Sequence, residues 1–103
     1  MSQPPAIYFA VTRERTENWD WGRALREQDQ WDEHAALMDS FVDRGIIVLG
    51  GPLEDGKNVL LIFNVAGKEE IDTLLAEDPW TSARLLRTTK VERWEVLLDP
   101  RRQ

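Results

Sequence analysis

The chain has no cysteine and only one histidine, His34. Without cysteine there is no disulfide framework, no thiolate nucleophile and no thiolate metal site. One imidazole, with no carboxylate–histidine cluster at ligand spacing, makes a poor zinc or iron shell, so neither a metal nor a cofactor is expected. Basic charge is also scarce: 13 Lys and Arg stand against 19 Asp and Glu, a formal net charge of -6. The cations gather on no single element, whereas a phosphate backbone needs a basic stripe, so nucleic acid is not an expected partner. The same deficit disfavours an anionic membrane surface. No apolar run approaches the roughly 20 residues of a membrane span. The opening Met1-Ser2-Gln3-Pro4-Pro5 lacks the basic-then-apolar pattern of a signal peptide, and the expected address is the cytoplasm. No glycine loop opens a helix as a nucleotide cradle does, and no serine sits in a nucleophile elbow.

What is present fits one folded domain over residues 1–103. The hydrophobic share is 42% with five tryptophans, enough for a modest core. Ala6 to Thr12 is β-branched and aromatic after a Pro-Pro start and reads as a strand. Arg13 to Gly22 is polar around Trp19 and Trp21 and reads as a loop that must find cover for its indoles. From about Glu27 to Arg44, Trp31, Ala35, Met38 and Val42 recur as one helical stripe, and Arg44-Gly45 supplies a cation and a stop. Ile46 to Leu49 reads as a second strand, interrupted by Gly50-Gly51-Pro52. Glu54-Asp55-Gly56-Lys57 is a turn, and Asn58 to Val65 is a third strand. Lys68 to Glu77 is a helix with Glu69 and Glu70 in its first turn and Ile71, Leu74 and Leu75 on its apolar side. Asp78-Pro79 ends it and opens a short helix to about Leu86, with Asp78 as N-cap. Lys90 to Leu98 is the last strand, followed by an Arg101-Arg102-Gln103 tail. The order β-α-β-β-α-β is that of a ferredoxin-like α+β sandwich.

Strands two and three carry an inference about assembly. Ile46-Ile47-Val48-Leu49 and Val59-Leu60-Leu61-Ile62-Phe63 do not alternate with polar residues, so both faces need cover. Two helices cover one face of a four-stranded sheet. A second copy packing sheet on sheet is the economical cover for the other, and a homodimer is expected.

Four blocks, Trp31-Asp32-Glu33-His34-Ala35, Gly45 to Leu53, Asp78-Pro79-Trp80 and Val91-Glu92-Arg93-Trp94, resemble the YCII-related proteins in order and spacing, over about Arg26 to Leu98. The resemblance implies a subunit of the dimeric α+β barrel superfamily. It also implies a pocket shared by a histidine and an aspartate, here His34 and Asp78, acting as a catalytic pair without a cofactor. The activity implied is elimination of the dehydrochlorinase kind, or isomerisation, on a small molecule. The long Arg13–Gln28 segment with its extra tryptophans departs from shorter members.

Each candidate has a structural reading beside the functional one. His34 is either a satisfied histidine at the edge of the helix stripe, near Met38 and Phe41, or the group that moves a proton near neutral pH. Asp78 caps the short helix, orients His34, or does both with its two oxygens. Gly50, Gly51 and Pro52 form a bend, or leave room for a ligand beside His34. Trp80 and Ser82 are candidate pocket residues from the Asp-Pro corner. Arg26 is a solvated cation, or reaches the pocket mouth to hold an anionic substrate. A cofactor-free enzyme and a non-catalytic binding or assembly module both remain open on these residues.

Overall fold

Side-chain alternation sets the frame. In the computed structural model, which describes residues 6–100, Phe9, Val11 and Arg13 are buried at every second position of strand β1, Ala6–Arg15. The Pro4-Pro5 start and the Arg101-Arg102-Gln103 tail lie outside the described residues. β1 runs three residues past the expected Thr12. It is a central strand, and both of its edges are paired to the end: Arg13 faces Val59 on one side and Thr88 on the other. That pairing satisfies backbone groups that a loop would have left to solvent.

Strand β2 spans Ile47–Pro52, β3 Asn58–Phe63 and β4 Leu86–Val96, in the antiparallel order β2-β3-β1-β4. Gly50, Gly51 and Pro52 do not interrupt β2. They pair with Leu61, Leu60 and Val59, and the irregularity lies upstream, between Ile47 and Leu49. β2 is an edge strand, so the missing N–H of Pro52 need not cost the ladder a bond. β4 begins four residues before the expected Lys90, because Leu86 to Thr88 pair with the extended end of β1.

Helix α1 is Trp31–Asp43, not Glu27 to Arg44. Leu25–Glu27 is a separate 3-10 turn, and Gln30 in the left-handed region, at φ 61°, breaks the path between them. Gly45 ends the element at φ 75°, a value that glycine adopts without strain. The buried stripe is also rotated from the expected one. Phe41 is fully enclosed, with Leu37 and Met38 beside it, while Val42 is 52% exposed. Helix α2, Lys68–Leu75, buries Ile71 and Leu75, and α3 is the single turn Pro79–Ser82.

Phe41, Ile71 and Leu75 pack on Phe9, Val11, Leu61 and Phe63 to form the core. Both longer helices therefore lie on one face of the sheet. On the other face Leu49 stays 62% exposed and Trp94 42% exposed. This is a ferredoxin-like α+β fold. No helix among the described residues is long and apolar enough to cross a membrane.

Candidate active site

The end of β1 carries the inward alternation past the core and puts charge where Phe9 and Val11 put hydrocarbon. Arg13 is 2% exposed. Its Nη1 donates to Asp78 Oδ2 at 3.0 Å, and Nη2 donates to Thr81 Oγ1 at 2.7 Å. Asp78 is wholly buried as the N-cap of α3, where its Oδ1 accepts the Trp80 amide at 3.0 Å. The same Oδ1 lies 2.9 Å from His34 Nδ1. One carboxylate thus joins the ends of β1, α1 and α3.

Burial pushes the Asp78 carboxyl up, but His34, the Trp80 amide and Arg13 outweigh that and hold it below its ordinary pKa of 3.8. An ionised carboxylate only accepts, so the proton of neutral His34 resides on Nδ1 and the Nε2 lone pair is left free. Burial lowers the Arg13 pKa, an effect that Asp78 opposes.

The imidazole is held across its plane as well. It stacks on Trp80 at 3.7 Å between centroids and 13° between planes. Trp80 is anchored in turn: its Nε1 donates to the Asp29 carbonyl at 2.6 Å, and Trp19 meets it edge-on at 5.1 Å. Trp31 lies 5.8 Å away. Trp19 finds the cover its indole needs, whereas Trp21 is exposed.

A cavity of about 270 Å³ opens beside this stack, between α1 and the sheet. His34, Trp80, Gly50, Gly51 and Pro52 all line it. A Cβ on Gly50 would lie 2.6 Å from Leu61 Cδ2, so a side chain there would have to displace that methyl. Asp78 sits behind His34 and does not line the cavity. Two expected residues are elsewhere. Arg26 is exposed on the 3-10 turn and lies along a separate shallow groove with Arg23 and Asp32, since the left-handed Gln30 separates that turn from α1. Ser82 is exposed at the end of α3, where it is Thr81 that turns inward to Arg13.

The cations that do line the cavity are Arg13 and Arg15. Period two, carried three residues past Thr12, would have put both on the inner face. Gln28 also went unread. It is buried, and its amide accepts from the Asp20 N–H at 3.1 Å and donates to the carbonyls of Asp20 at 2.7 Å and Arg23 at 3.0 Å. It thereby folds the 16–30 segment onto itself and brings Trp19 and Leu25 to the cavity wall. Among the described residues no three His, Cys, Asp or Glu side chains stand close enough to hold a metal ion.

A wholly buried carboxylate thus stands behind an imidazole that lines a cavity, on an α+β scaffold. No family model matches the chain, and no curated protein matches it. Among solved structures it is similar to 5-chloro-2-hydroxyhydroquinone dehydrochlorinase from Burkholderia phenoliruptrix AC1100, in a complex with 2,5-dihydroxybenzoquinone. The likeness has a TM-score of 0.64 at 25% identity, over 85% of this chain and 93% of that one.

Proposed function

We propose that this chain is an enzyme of the YCII-related type that converts a small hydroxylated ring compound by acid–base catalysis. His34 is the proton-transfer group and Asp78 its orienting partner. The observation that carries the reading is the 2.9 Å contact between a fully buried carboxylate and the Nδ1 of a cavity-lining histidine. The likeness to a dehydrochlorinase that holds a dihydroxybenzoquinone supports the substrate class.

In this reading Nε2 removes a hydroxyl proton from the ring. The proton is returned to the chlorine-bearing ring carbon as a carbonyl forms, which makes that carbon tetrahedral. Removal of a second hydroxyl proton then forms the second carbonyl as chloride departs, so that the ring loses HCl and leaves as a quinone. The imidazolium that results is paired with Asp78 and stacked on Trp80, so the ring of His34 does not turn between steps. Two copies packed through the Leu49–Trp94 face complete the assembly.

The test is incubation with a chlorinated hydroxyhydroquinone under anaerobic conditions, with chloride release followed by ion chromatography. A His34→Gln variant is expected to melt as the wild type does and to lose about 100-fold or more in rate, the scale of general acid–base catalysis. Equal rates in the two proteins would remove His34 from the chemistry.

A further inference from the structure

Position 13 continues the inward alternation of Phe9 and Val11, where hydrocarbon would serve the core. The chain instead buries a guanidinium against a wholly buried carboxylate. A buried ion pair adds little stability over apolar residues of similar volume, because both charges lose their water. Capping α3 does not need the charge at 78 either, since asparagine caps as well as aspartate. The Arg13 Nε is buried with no partner among the described residues, so the guanidinium is not fully satisfied in its place. The pair is a poor device for stability, and what it stands behind is His34.

Asp78 divides its oxygens between the two. Oδ2 accepts from Arg13 Nη1 at 3.0 Å, and Oδ1 lies 2.9 Å from His34 Nδ1. Thr81 Oγ1 accepts from Arg13 Nη2 at 2.7 Å and fixes the fork in place. Burial leaves these charges little screened by salt. The other charges near the imidazole are few. Arg15 lines the cavity from the same face of β1, but its guanidinium is turned to the Gly56 carbonyl and the Trp19 ring. On the helix of His34 itself, Asp39 lines the cavity and is exposed, as are Asp32 and Glu33. β2, β3, β4 and the 16–30 segment present only uncharged side chains to the cavity.

A lone carboxylate bonded to an imidazole has two effects: it orients the ring, and it favours imidazolium. The first helps a base. The second removes it, because imidazolium has no lone pair on Nε2. We propose that Arg13 is a positioning residue for the proton transfer: it balances the Asp78 charge, so that the carboxylate orients His34 without trapping it as imidazolium. The inference rests on the acid–base reading for its use in turnover, yet its effect on His34 is measured without turnover.

His34 is the only histidine, so NMR of its ring nitrogens against pH reads it alone. Arg13→Gln is expected to raise the protonation midpoint of His34 by about one unit or more, the effect of a unit charge two hydrogen bonds away in a buried site. Arg13→Lys keeps the charge and is expected to stay within about half a unit of the wild type. Asp78→Asn is expected to lower the midpoint, and adding Arg13→Gln to it raises the midpoint again by about one unit. That second comparison carries the test if Arg13→Gln alone does not fold. A midpoint that removal of Arg13 does not move overturns the proposal, because Arg13 then serves only the fold. An equal rise in Arg13→Lys also overturns it, since it marks lost packing rather than lost charge. The pH profile of chloride release separates this from the acid–base reading. Where both hold, the acid limb of Arg13→Gln moves to higher pH with the midpoint. A midpoint that moves without the limb removes His34 from the chemistry and leaves the charge balance standing. A midpoint that stays while His34→Gln is inactive leaves the acid–base reading standing alone.

Discussion

Asp78 accepts three hydrogen bonds on two oxygens, from Arg13, His34 and the Trp80 amide. Its lowered pKa makes it a source of stability that is complete above the ordinary carboxylate range and lost as pH falls through the lowered value. Asp78→Asn should still cap α3, since asparagine caps well. It leaves Arg13 buried without a counter-charge, and we expect a cost of about 3 kcal/mol at neutral pH. Urea midpoints of both proteins from about pH 6 down to about pH 2 should converge at the acid end. The depressed carboxyls of Glu14 and Asp55 are common to both proteins and cancel in the difference. Gly50→Ala should drive Leu61 from its place, at about 1–3 kcal/mol by chemical denaturation and with weaker ligand binding. The capping aspartate was legible because Asp-Pro is a local signal. Arg13 and Arg15 were not, because Arg-Glu-Arg after an apolar strand looks like solvated loop, and only pairing on both sides of β1 shows otherwise.

At the level of elements, the strand and helix order was legible from hydrophobic period and turn residues, while the 16–30 segment was not. It has no period of its own. Its form comes from one amide, Gln28, and from the Trp19 indole, which meets Trp80 across more than fifty residues of chain. Gln28→Ala should release several of its bonds at once. We expect a loss of about 1–3 kcal/mol, faster hydrogen exchange at residues 17–29 and red-shifted tryptophan emission as Trp19 is wetted. Unchanged exchange in that segment would show that the Trp19 indole alone holds it. The start of α1 was misplaced for a related reason: Glu27 Oε1 accepts the Ala24 N–H at 2.9 Å, which closes a local turn where a helix was expected.

For the whole molecule, the apolar character of both faces of β3 was visible in Leu60, Leu61 and Ile62, and the fold separates them. Leu61 joins the helix-side core, while Leu60 and Ile62 pair with Gly51 and Leu49 on β2, where an apolar groove also takes in Trp94. Surface of this kind marks an interaction site. Light scattering at micromolar concentration should give a dimer for the wild type and a monomer for Leu49→Asp, which sets a charge on each side of a sheet-to-sheet contact. A wild-type monomer would count against the assembly.

Because the carboxylate at 78 also caps α3 and balances a buried guanidinium, the fold depends on it whether or not any reaction takes place. A lineage that abandoned the chemistry would be expected to keep the aspartate and let the imidazole drift. When homologous sequences are sorted into working and retired copies, position 34 is therefore the residue to read.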